Sequence, residues 1–62
     1  MKNRIREIRN EKGLTLKELS DLLYISVSAL SKIERGERKL TIDMAHEITL
    51  VFEITLNELV EK

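Results

Sequence analysis

TLKELSDLLYISVSALSKIERG, residues 15–36, is the stretch on which the fold turns. It opens with Thr15 and Glu18 at capping-box spacing: a hydroxyl accepts from the backbone N–H three residues on, and the glutamate reaches back to the N–H of the cap. Leu19, Leu22 and Leu23 follow at helical spacing, which predicts a helix of about two turns. Ser26 is a second capping residue, and Leu30 and Ile33 mark the buried side of a helix that ends before Gly36. Two short helices are thus joined by only Tyr24, Ile25 and Ser26. Ser20 is small where such helices cross closely, and Leu19, Leu23, Ile25, Leu30 and Ile33 supply the apolar wedge between them.

Working outward, Asn3 is a good N-cap for a first helix that carries Ile5 and Ile8 on one face and stops at Gly13. Thr41, with Asp43 in the first turn, starts a fourth helix in which Ala45, Ile48 and Phe52 repeat at i, i+3 and i+7. Thr55 and Glu58 repeat the capping-box pattern and open a brief last helix with Leu59 and Val60. The absence of proline agrees with this reading, as do the many Leu, Ile, Glu, Lys and Arg residues. The fold expected is all-α, a compact bundle of five short helices, with residues 1–62 making one domain.

Composition narrows the function. A chain of 62 residues buries only about 60% of the surface its unfolded form exposes, so its stability margin is thin. With no cysteine, neither a disulfide nor a thiolate metal site staples it, and the single histidine, His46, makes no metal site alone. No metal and no cofactor are expected. Asp43, His46 and Glu47 share a helix and read as solvated charges. No nucleophile, base and orienter come together and there is no glycine-rich phosphate loop, so an enzyme is not expected. The apolar runs are too short to span a bilayer, and MKNRIREIRNEK at the start lacks the apolar stretch of a secretory signal. A cytoplasmic location without membrane or small-molecule partners follows as the expectation.

The formal net charge is zero, yet the charges are not evenly spread. Residues 1–39 hold ten Lys and Arg against six Asp and Glu, a local +4, whereas residues 40–62 hold one against five, a local −4. One end of such a charge dipole can face phosphates while the other faces solvent or a partner.

With its lead-in IREIRNEKGLT and the following AHEITLVFEITLNEL, the 15–36 segment resembles the helix-turn-helix of the Cro and phage-repressor (XRE) family. The likeness covers nearly the whole chain, and SKIERG at Ser31–Gly36 is its most specific fragment. The resemblance implies a lambda-repressor-like bundle with the helix-turn-helix at helices 2 and 3. It also implies a small regulator, a repressor in the first reading, that places its third helix in the major groove of double-stranded DNA. Val27, Ser28, Ser31 and Lys32 would then face the bases. Lys32 would donate to guanine, the serines would donate or accept, and Val27 would touch a thymine methyl. Lys17, Tyr24, Ser26, Arg35, Arg38 and Lys39 would hold flanking phosphates. The family's pairing of a first-helix arginine with a glutamate near the end of the third falls on Arg9 and Glu34. The family also binds palindromic operators as dimers, with half-sites about 34 Å apart. A homodimer would use Val51, Ile54, Leu56 and Val60, which exceed what a small core hides.

Three positions depart from the family pattern. Leu16 stands where a glutamine commonly reaches the DNA backbone, Tyr24 replaces the turn glycine, and Val27 replaces a long polar reader. A non-glycine residue held left-handed costs about 1–2 kcal/mol unless the turn adjusts. Together with Leu22 these residues suggest an alternative, a helix-turn-helix turned into a protein-binding surface. The basic cluster Arg35, Arg38 and Lys39 favours DNA.

Overall fold

The structure is a computed structural model and describes residues 3–60. Five helices follow in order: α1 Ile5–Glu11, α2 Leu16–Leu23, α3 Val27–Glu34, α4 Ile42–Phe52 and α5 Leu56–Leu59. The all-α bundle expected from the sequence is therefore the one observed. Among the described residues no strand forms, only an isolated bridge between Asn3 and Val60.

Local chemistry sets most boundaries. Thr15, Ser26, Thr41 and Thr55 each stand in extended conformation before a helix and accept, through the hydroxyl oxygen, the backbone N–H three residues later. Both capping boxes close completely, since Glu18 and Glu58 also accept from the N–H groups of Thr15 and Thr55. Each cap satisfies donors that the helix leaves without partners, a contribution of about 1 kcal/mol.

The first helix differs from expectation. Its N-cap is Arg4, without a side-chain cap bond, and Asn3 lies outside the helix. The Asn3 Oδ1 still accepts from the Ile5 N–H at 3.2 Å, but its Nδ2 donates to the distant Ile33 carbonyl at 3.0 Å. The Arg4 N–H donates to the Leu59 carbonyl at 2.8 Å, which joins the two ends of the described chain. Val60 likewise belongs to that junction and not to the last helix, because its backbone is extended.

Helix ends repeat one device. Gly13, Tyr24 and Gly36 all take positive φ, at 73°, 58° and 77°. At each, the N–H of the left-handed residue and that of its successor bond back to carbonyls of the last turn: Gly13 to Asn10, Leu14 to Arg9, Tyr24 to Asp21, Ile25 to Ser20, Gly36 to Ile33 and Glu37 to Lys32. These are Schellman closures, which satisfy orphan carbonyls while reversing the chain. Glu53 ends α4 left-handed at φ 58°. The turn at Tyr24 thus keeps the conformation that glycine favours and does not adjust around the larger side chain.

Ile5, Ile8, Leu19, Leu23, Leu30, Ile33, Ala45, Ile48, Phe52 and Leu59 form one buried cluster with contributions from all five helices. Leu22, although at helical spacing with its neighbours, is exposed. Ser20 is buried, and its hydroxyl donates to the Lys17 carbonyl at 2.8 Å, so the small residue at this position leaves no unsatisfied polar atom. This wedge fixes the angle at which α3 leaves α2.

Candidate nucleic-acid interface

α3 has a buried side, Leu30 and Ile33, and an outer side on which Val27, Ser28 and Lys32 are exposed and Ser31 is half-buried. The four residues expected to read bases therefore share the outward part of one eight-residue helix. Ser26 precedes them, its oxygen accepting from the Ala29 N–H at 3.0 Å, which leaves its O–H as a donor toward solvent.

Two polar links hold this helix to the rest. Arg9 Nε donates to Glu34 Oε2 at 2.9 Å, and a second bond from Nη2 reaches Oε1 at 3.4 Å. The pair sits in the protein, with the Arg9 and Glu34 side chains only 12% and 5% exposed. Arg9 Nη1 also donates to the Leu14 carbonyl at 2.9 Å, so one guanidinium spans α1, the loop before α2, and α3. The second link is the Asn3 amide on the Ile33 carbonyl. Both hold the last turn of α3, the end opposite Val27 and Ser28.

The expected phosphate ligands surround α3 in two states. Arg38 and Lys39 are exposed and, like the expected base reader Lys32, form no ion pair among the described residues. Lys17 pairs with Asp21 at 2.8 Å and Arg35 with Glu37 at 3.0 Å, both in the open. Exposed pairs of this kind are worth about 0–1 kcal/mol, so either cation can exchange its carboxylate for a phosphate. Tyr24 projects almost entirely into solvent, 95% exposed. Leu16 packs partly against the core at the start of α2. The Thr15 backbone N–H and then its hydroxyl hold the Glu18 carboxyl below its ordinary 4.5, which keeps the cap ionised at the end of α2 nearest the cleft between α1 and α3.

The four residues expected at a dimer interface are less uniform. Val51 and Ile54 are half-buried against the core, Val60 is half-buried beside Asn3, and Leu56 is 47% exposed. Reading the sequence missed Ile42 and Leu50, which are exposed on α4. Their signal was present: they lie eight apart with His46 midway, a row off the buried Ala45, Ile48 and Phe52 stripe. Asp43, His46 and Glu47 remain on the solvent side of α4, and among the described residues no group of three or more His, Cys, Asp and Glu is placed to hold a metal ion. No helix among the described residues is long and apolar enough to cross a membrane.

Comparison with known proteins places this geometry. The family model described as Helix-turn-helix matches residues 5–59. The chain is 36% identical over 58 residues to the HTH-type transcriptional regulator DdrOP3 of Deinococcus deserti, covering 94% of this chain and 45% of that one. It is 42% identical over 50 residues to the HTH-type transcriptional regulator RamB of Mycobacterium tuberculosis, covering 81% of this chain and 10% of RamB. The chain thus spans less than half the length of these relatives. The crystal structure of the restriction-modification controller protein C.AhdI from Aeromonas hydrophila superposes with a TM-score of 0.81, at 29% identity over 89% of this chain and 83% of that one. With the family model covering α1 through α5, and with α2 and α3 meeting across a three-residue turn, the chain belongs to the helix-turn-helix family of the Cro and phage-repressor type.

Proposed function

We propose that this chain binds double-stranded DNA sequence-specifically as a transcriptional regulator, a repressor in its simplest form, with α3 in the major groove. One observation carries the reading: Val27, Ser28 and Lys32 stand exposed on a helix whose far side is buried and whose last turn is fixed by Arg9 and Asn3. Lys32 donates to guanine O6 or N7, Ser28 and Ser31 serve either polarity, and Val27 meets a thymine methyl, each good contact being worth about 1–3 kcal/mol of discrimination. Lys17, Tyr24, Ser26, Arg35, Arg38 and Lys39 contact phosphates and position the helix without choosing sequence. The relatives named as transcriptional regulators, and the neighbour named as a restriction-modification controller, support the same reading.

Titration against mixed-sequence duplex at increasing salt tests it. The logarithm of the affinity should fall linearly with the logarithm of salt, by about 0.9 for each phosphate neutralised. No binding at low salt overturns the proposal. That outcome would favour the second reading, a protein-docking face, which the exposure of Leu22 on α2 and of Tyr24 just after it, beside Leu14, supports.

Assembly follows from size. A single α3 reads only a few base pairs, and two copies on half-sites about 34 Å apart read a palindrome. Leu56, with Val51, Ile54 and Val60 behind it, supplies the self-complementary face. Sedimentation of the protein with and without DNA tests this, and a strict monomer on DNA removes the two-half-site arrangement.

A further inference from the structure

Arg6 on α1 has no part in the reading above. It is exposed and forms no ion pair among the described residues. It lines a cleft of about 280 Å³ together with Arg9, Leu16, Ser31, Glu34 and Arg35. Arg9 and Glu34 neutralise each other at the cleft floor, where both are largely buried. That leaves two cations on its walls, Arg6 without an ion pair among the described residues and Arg35 held by the exposed, displaceable Glu37. Ser31, one of the base-facing candidates, completes the wall, so an occupant of the cleft lies beside the groove-facing side of α3. Leu16 faces the same space with a side chain that has no hydrogen-bond donor.

We propose that Arg6 and Arg35 grip one backbone phosphate of duplex DNA in this cleft, Arg6 providing the side-chain donor that Leu16 lacks. A guanidinium presents a planar fork of N–H donors that matches two phosphate oxygens, and two such forks across a cleft fix an anion in position as well as in charge. The buried Arg9–Glu34 pair keeps the floor neutral and ties α1 to α3 beneath the two cations. This site rests on the proposal that α3 enters the major groove, and it adds α1 to the elements that touch DNA.

Arg6→Ala, titrated from about 50 to about 200 mM salt against mixed-sequence duplex and against a duplex selected from a random pool, tests the site. Affinity should fall about tenfold for both duplexes with base preference unchanged. The salt slope should become shallower, by at most about 0.9 because Arg35 stays on the same phosphate, so that the variant loses up to about threefold less affinity than the wild type across that range. Arg6→Lys should keep the slope, because the charge stays. The thermal transition of Arg6→Ala should match the wild type, since the side chain is exposed. An Arg6→Ala slope equal to the wild type's overturns the site, whether or not affinity falls, and so does an Arg6→Lys slope as shallow as that of Arg6→Ala. Wild-type protein that fails to bind duplex at low salt overturns instead the reading on which the site depends.

Discussion

The N-terminal helices α1 to α3 and the C-terminal pair α4 and α5 are held by different kinds of force. α1 to α3 share the core, but they are also joined by directional links: Arg9 to Glu34 and to the Leu14 carbonyl, and Asn3 to the Ile33 carbonyl. α4 enters the core through Ala45, Ile48 and Phe52 and α5 through Leu59, and Arg4 ties α5 to the rest by bonds to the Glu58 and Leu59 carbonyls. Apolar burial is non-directional and scales with area, whereas an ion pair or amide contact specifies where one helix stands relative to another. The region expected to read DNA is thus the region whose position is specified, and the other supplies mostly area.

This contrast predicts that damage to the two regions differs in kind. Phe52→Ala removes the largest fully buried side chain and should cost about 3–5 kcal/mol, a loss that a domain this small does not survive at room temperature. Circular dichroism should show helices lost throughout; loss confined to α4 and α5 would break the single shared core. Arg9→Met should cost about 3 kcal/mol, because Glu34 is left buried without its partner. Adding Glu34→Leu should then recover most of that stability. Thermal melts of the two single variants and the double variant measure the coupling, and equal melts of Arg9→Met and the double variant would show that the pair does not act as proposed.

Much of this was legible because it is local. Four caps, both capping boxes, the three-residue turn and the buried stripe of α4 depend on residues within one turn of each other, and the sequence reading places them where the structure does. The misplaced residues have distant partners. Asn3 carries a side chain suited to an N-cap, but its amide bonds to a carbonyl thirty residues away. Val60 fits the pattern of a last helix, but its own backbone is extended and bridges to Asn3. Leu22 obeys helical spacing and is nevertheless exposed, because an eight-residue helix packed on α3 and α4 hides a narrower stripe than spacing alone implies. At the candidate site, the sequence names residues on α3 and after it as candidates for reading and phosphate contact, and the structure adds that Val27, Ser28, Lys32, Arg38 and Lys39 are exposed. Arg6 was not among those candidates, since its relation to Arg35 exists only once α1 lies beside α3.

A smaller effect sharpens the comparison at the hinge inside the N-terminal unit. Gly13, Gly36 and Tyr24 end their helices through the same backbone bonds, but Tyr24 does so with a Cβ in the left-handed region. With its side chain 95% exposed, almost no packing offsets that cost. Tyr24→Gly should therefore stabilise the fold by up to about 1 kcal/mol, less the extra entropy glycine gives the unfolded chain. In a domain of this size that is about 4–8 °C in melting temperature. If the hydroxyl holds a phosphate, the same variant binds DNA more weakly while melting higher, so stability and affinity move in opposite directions. A lower melting temperature would show that the ring contributes to the fold.

The smallest expected effect concerns pH, and it reaches both regions because each contains one capping box. The backbone N–H of Thr15, and then its hydroxyl, lower the pKa of Glu18 from 4.5; the same groups of Thr55 act on Glu58, opposed by slight desolvation and aided by Arg4 and Lys12. A carboxylate whose folded pKa is depressed binds its proton more readily when unfolded, so its stabilisation is complete above the unfolded value and fades as pH falls through the folded one. Stability should accordingly be flat near neutrality and decline below about pH 4.5. Glu18→Gln and Glu58→Gln retain a hydrogen-bond acceptor but do not titrate, so each should flatten part of that decline. Both carboxylates are exposed, which makes the individual changes small. Their value is in location: Glu18→Gln alters the box beside the DNA-facing unit and Glu58→Gln the box in α5. If the whole chain unfolds as one unit, both variants shift the same transition by similar amounts; if α5 detaches first in acid, Glu58→Gln alone changes the early part of the curve.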